Sequence, residues 1–119
     1  MASAVNVALM AIVKFHYIDW VMASPEDCKT LQDIRTEIDR IDREIIERIA
    51  QRARYVQAAA PFKTSEADVA APQRQASMLA TRREWAEAQG LDPGVIEDIF
   101  RRLVEYFIAR ELGHWKERP

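Results

Sequence analysis

Cysteine is nearly absent. Cys28 stands alone in 119 residues, which excludes an intrachain disulfide and a thiolate metal cluster. Histidine is almost as scarce, and His16 and His114 lie too far apart in sequence to suggest a zinc site. Glycine occurs only three times, and none of the three belongs to a Gly-rich phosphate loop. Charge of one sign is lacking too. The formal net charge is −2, so nothing points to nucleic acid or to an anionic membrane surface as a partner. No apolar run is long enough to cross a bilayer. The most apolar stretch, Val5 to Val13, is soon interrupted by Lys14, His16 and Asp19 and has no basic region before it. What remains is one domain's worth of chain, 49% apolar and 30% charged, with a cytoplasmic address expected. Any chemistry must come from arginines, lysine and carboxylates.

Residues 1–23 differ from the rest and read as an N-terminal extension. The aromatic and β-branched content of Val13–Val21 leans towards a strand packed on a neighbouring surface. Ser24-Pro25-Glu26-Asp27 is a helix-start signature, and Thr30-Leu31-Gln32-Asp33 repeats it, so a short turn should precede the main helix. That helix runs from Thr30 to about Ala60. Its apolar residues Leu31, Ile34, Ile38, Ile41, Ile45, Ile49 and Val56 fall on one stripe. Arg52 interrupts the stripe, and Arg35 flanks it. A guanidinium on a face meant for burial costs several kcal/mol unless an anion meets it. Pro61 stops the helix, and 61–71 read as a loop. A second helix is expected from Pro72 to about Gln89, with Ala76, Leu79, Ala80, Arg83 and Ala86 as its inward face. Gly90 ends it. Asp92-Pro93 opens a third helix to about Trp115, with Ile96, Ile99, Phe100, Leu103, Val104, Phe107 and Ile108 inward and Glu111 on the same side. The fold class is all-α: long, short, long.

A thirty-residue helix is about 45 Å long. A compact domain of this size has a radius of gyration of only about 13–14 Å. The first helix should therefore bury its stripe against a second copy of the chain. About 25 Å of helix axis separates Arg35 from Arg52, too far for both to grip one small anion. In an antiparallel dimer, Arg35 of one chain could approach Arg52 of the other, giving two sites built from both chains. Cations converging on an apolar bundle interior suit a small dicarboxylate, and no nucleophile–base pair suggests covalent catalysis. Taken singly, Arg52 could be a snorkelling arginine, Lys63 and Arg74 ordinary solvated cations, and Glu111 an arginine's partner.

Ser24-Pro25-Glu26-Asp27-Cys28, Leu31, Asp33-Ile34-Arg35, Ile38-Asp39-Arg40-Ile41-Asp42, Arg52, Tyr55-Val56, Phe62-Lys63, Ser65-Glu66-Ala67, Ala71-Pro72, Arg74 and Met78-Leu79 together resemble the AroQ class of chorismate mutases. Within that class the pattern is most similar to the isochorismate-pyruvate lyases of salicylate and siderophore synthesis. Trp85-Ala86-Glu87, Gly90-Leu91-Asp92, Tyr106, Ile108-Ala109 and Trp115 continue it, so the resemblance covers residues 24–118. It implies an intertwined helical homodimer with two shared active sites and no metal or cofactor. It also implies that Arg35, from the opposite chain, and Arg52 each bind one substrate carboxylate. Lys63 would donate to the enolpyruvyl ether oxygen, and Arg74 would lie at a mobile edge. Val56, Ala59, Met78, Phe107 and Ile108 match apolar lining positions. Two residues depart from the lyase pattern: Pro61 precedes Phe62-Lys63, and Glu111 replaces a glutamine that donates to the ether oxygen. Some mutases of the class carry glutamate there. The first expectation is therefore a chorismate mutase, with isochorismate-pyruvate lyase next and a non-catalytic helical dimer third. In either enzyme Glu111 is expected to act beside Lys63, with activity falling as its carboxyl group ionises.

Overall fold

The computed structural model describes residues 24–117, and all the regular structure among them is helical. A single 3-10 turn, Pro25–Asp27, precedes α1, Leu31–Ala59. A second 3-10 turn, Ala60–Phe62, leads to the short α2, Glu66–Ala70. Two longer helices follow, α3 at Pro72–Ala88 and α4 at Pro93–Lys116. The all-α class and the long, short, long order of the main helices match the sequence expectation. The extension over residues 1–23, with its expected strand at Val13–Val21, lies outside the described residues.

The chain divides into two units between Arg48 and Ile49. In the first, Ser24 does not cap the 3-10 turn; its hydroxyl donates to Glu26 Oε2 at 2.6 Å. The working cap is Thr30. Its Oγ1 accepts from the Asp33 backbone N–H at 3.0 Å, and Asp33 Oδ2 accepts in return from the N–H groups of Thr30 (3.1 Å) and Lys29 (3.0 Å). This reciprocal arrangement is a capping box. These donors, the Lys29 N–H foremost, hold the Asp33 carboxyl below its ordinary range. Beyond the cap, the stripe of α1 is uncovered in the single chain. Of that stripe, Leu31, Ile34, Ile38, Ile41 and Ile45 are exposed, and so is Ile46 beside it, by 67%.

The second unit holds the core. Met78 and Leu79 of α3 pack with Val104 of α4, flanked by Phe100 and Ile108. Val69, Ala86 and Phe107 are also buried. α3 lies along α4, and α2 also sits against α4. Between α3 and α4 the turn closes through Gly90, in the left-handed region at φ +73, with the Leu91 N–H donating to the Ala86 carbonyl at 2.9 Å. Asp92 then caps α4 through Val95 N–H at 3.0 Å, with Pro93 in the first turn.

Two local expectations are corrected. Residues 61–71 are more than a loop, because Ser65 caps α2: its hydroxyl accepts from Asp68 N–H at 3.1 Å. The five-residue helix is too short to show a periodic apolar face. The inward face of α3 is also rotated. Met78, Leu79 and Ala86 are buried, whereas Ala76, Ala80 and Arg83 are exposed. Alanines carry too little surface to fix which side of a helix turns inward, and the larger Met78 decides it. Arg83 instead donates to Glu97 at 2.8 Å, and Glu97 also takes Arg101 at 2.9 Å, which ties α3 to α4 at the surface.

Candidate active site

Three helical stripes and one turn of the second unit wall a cavity of about 410 Å³. From the end of α1 come Arg52, Tyr55, Val56 and Ala59, spaced three and four apart so that they share a face. α3 contributes Arg74, Met78 and Arg82 at strict four-residue intervals, with Gln75 beside them. α4 contributes Val104, Phe107, Ile108 and Glu111 on another such stripe. Lys63 enters from the turn after α1, and Val69 and Ala71 close the side between α2 and α3.

The direction of Lys63 follows from its local structure. Pro61 sits inside the 3-10 turn, and Lys63 N–H donates to the Ala60 carbonyl at 3.1 Å. Phe62 consequently faces out, 86% exposed, while Lys63 turns into the cleft. The segment after it is clamped. Asp68 Oδ2 accepts from both the Thr64 hydroxyl (2.7 Å) and the Thr64 N–H (2.9 Å), so Thr64 holds the Asp68 carboxyl below its ordinary range, hydroxyl foremost. Pro61 therefore leaves the lysine aimed at the site.

Inside the cleft, Lys63 Nζ donates to Glu111 Oε2 at 3.4 Å, and both side chains are largely enclosed. The guanidinium of Arg52 lies 5.9 Å from the centre of the Phe107 ring. Burial, and then the charge of Arg74, push the Arg52 pKa down. A guanidinium so placed carries a desolvation cost that an anion would offset. Among the described residues, four cationic side chains and one carboxylate line the cavity, against a wall of aliphatic and aromatic groups. A smaller cavity of about 230 Å³ shares Val56, Phe107 and Glu111 with it, but there Arg110 is the only lysine or arginine of the lining among the described residues.

Of the residues expected from sequence, the structure brings Arg52, Val56, Ala59, Lys63, Arg74, Met78, Phe107, Ile108 and Glu111 to this one cavity. Arg35 belongs to the first unit, where it is exposed on α1. Arg82 and Tyr55 also line the cavity and are not among the residues expected from sequence. The four-residue spacing from Arg74 through Met78 is the sequence signal for Arg82.

A cleft of this kind in an all-helical protein suits a small anionic molecule, with guanidinium and ammonium groups set against an apolar wall. The chain belongs to the family described as chorismate mutase type II, whose profile matches residues 34–112 and so spans both Arg35 and Glu111. It is 45% identical over 96 residues to the isochorismate pyruvate lyase of Pseudomonas aeruginosa, covering 81% of this chain and 95% of that protein. It is also 37% identical over 84 residues to the T-protein of Haemophilus influenzae, covering 70% of this chain but 22% of that one. A T-protein of Enterobacter agglomerans matches at 37% over 75 residues, with 62% of this chain and 20% of that protein covered. The chain is thus an enzyme of the chorismate mutase or isochorismate pyruvate lyase type. None of the helices among the described residues is long and apolar enough to cross a membrane.

Proposed function

We propose that this chain is an isochorismate-pyruvate lyase, acting as a homodimer in which each cleft is completed by Arg35 of the partner chain. The observation that carries the reading is the cleft itself: Arg52, Arg74 and Lys63 surround an apolar cavity with, among the described residues, only Glu111 to balance them. In the proposed mechanism, Arg52 holds one carboxylate of isochorismate and the incoming Arg35 holds the other. Together they fold the enolpyruvyl side chain over the ring, the conformer from which reaction occurs. A ring hydrogen then passes to the enolpyruvyl methylene carbon as the ether C–O bond breaks, leaving salicylate and pyruvate. Negative charge builds on the departing oxygen, and Lys63 stabilises it in a water-poor pocket. Val56, Ala59, Met78, Phe107 and Ile108 supply the dry walls.

The match over 95% of a lyase's length favours this activity over the mutase expectation drawn from motifs. Rearrangement of chorismate to prephenate remains the second reading, favoured by Glu111, a residue found in some mutases of the class. The dimer is supported by the uncovered stripe of α1, since six large apolar side chains in water on one helix call for a partner surface. Incubating the purified protein with each substrate tests the assignment. Isochorismate should yield equimolar salicylate and pyruvate faster than chorismate yields prephenate. Prephenate formation alone would move the chain to the second reading, and turnover of neither would overturn both.

A further inference from the structure

We propose that Arg82 is a third guanidinium of the anion cradle, raising the affinity of the cleft for a dianion through its charge rather than through direct contact. The inference rests on the cleft being a dicarboxylate site, as proposed above. Arg82 lines the cavity on the same stripe of α3 as Arg74 and Met78. Its guanidinium lies 4.5 Å from the centre of the Trp85 ring and 5.8 Å from that of Phe100. Its Nε is buried with no hydrogen-bond partner. The enclosed Nε is lost as a donor to a ligand and the guanidinium lies against the Trp85 and Phe100 rings, so the contribution proposed is that of the charge.

A packing role does not account for that charge. Methionine could lie on the same rings without leaving a buried donor unpaired. Arg82 also carries an electrostatic cost in the empty protein. Burial, then the charges of Arg74 and Arg52, push its pKa down. The cation–π contact with Trp85 is a weak offset, because that ring is itself 56% exposed. Among the described residues of one chain, three guanidiniums and Lys63 line the cleft with a single carboxylate, Glu111, an excess of three positive charges that Arg35 of a partner would raise to four. A dianion lowers that excess by two. Arg82 thus destabilises the empty state and favours the filled one, and a charge acting without contact to the reacting atoms acts on ground and transition states alike. Such uniform binding lowers KM and leaves kcat unchanged.

The test compares wild type with Arg82→Met and Arg82→Lys, using isochorismate for turnover and prephenate as a dianion probe in calorimetry. Arg82→Met is expected to weaken prephenate binding and raise KM by about 5- to 20-fold, with kcat within about threefold. Arg82→Lys should recover most of the loss, and the wild-type KM should climb more steeply with NaCl than that of Arg82→Met. Should Arg82→Met fold poorly, Arg82→Gln replaces it. A neutral variant that binds prephenate within threefold of wild type overturns the inference and makes Arg82 a packing residue. Wild-type protein that neither binds prephenate nor turns over isochorismate overturns the dicarboxylate reading, and this inference with it.

Discussion

Replacing Glu111 by glutamine should make the enzyme faster. Glu111 Oε2 holds Lys63 Nζ at 3.4 Å, with the two side chains only 12% and 23% exposed. In the empty cleft the carboxylate balances the ammonium. In the proposed mechanism it would compete with the ether oxygen for the same Lys63 donor and set a negative charge against a developing one. Two unit charges about 4–5 Å apart interact by about 3–4 kcal/mol at an effective dielectric near 20. About half a charge develops on the oxygen and water still reaches the lysine. The net penalty is therefore about 1–1.5 kcal/mol, or roughly tenfold in kcat. Glutamine keeps the length, removes the charge and offers a permanent N–H donor. Steady-state kinetics on isochorismate at neutral pH should show kcat up about tenfold for Glu111→Gln. Glu111→Leu removes the charge without adding a donor and should fall between the two. A glutamine variant slower than wild type at every pH would refute the argument and leave Glu111 as a structural partner of Lys63.

Lys63→Met should lower kcat by about 10²- to 10³-fold with a small change in KM, because it would remove the proposed donor to the breaking bond. Asp68→Asn should loosen the segment that aims Lys63, lowering kcat and thermal stability at neutral pH. Because Thr64 holds the Asp68 carboxyl below its ordinary range, this contribution is full above the unfolded carboxyl pKa and is lost as pH falls through the folded value. Melting curves of wild type and Asp68→Asn should therefore separate at neutral pH and converge in strong acid. Ile38→Asp with Ile45→Asp places charge on the exposed stripe of α1 and should give a monomer by light scattering, with activity lost.

The helices are legible in the sequence because their signals are local. Thr30 with Asp33, Pro72, Gly90 and Asp92-Pro93 each satisfy or end backbone hydrogen bonding within a few residues. Most of the cleft is legible for a different reason. Arg52 on an apolar stripe is costly wherever that stripe packs, so the hydrophobic pattern by itself singles it out. α2 is not legible, since five residues carry no period and its signal is a single Ser65–Asp68 cap. The face of α3 is ambiguous in sequence because alanine tolerates either side, and the same ambiguity conceals Arg82. With Met78 pointing inward, Arg74 and Arg82, one turn to either side, must flank the same cavity.

Each site is proposed to draw on two chains, and subunit mixing tests this most directly. Arg35→Ala and Arg52→Ala homodimers should each lose at least about 10³-fold in kcat/KM, because each leaves one carboxylate unbound. Unfolded together in equal amounts and refolded, half of the dimers should pair the two variants. Each such heterodimer would keep one cleft with both arginines and one with neither. The mixture should therefore recover about a quarter of the wild-type activity per chain. Recovery to that level supports the composite site; activity no higher than that of the parent variants, with heterodimers demonstrated by differential tags, would contradict it.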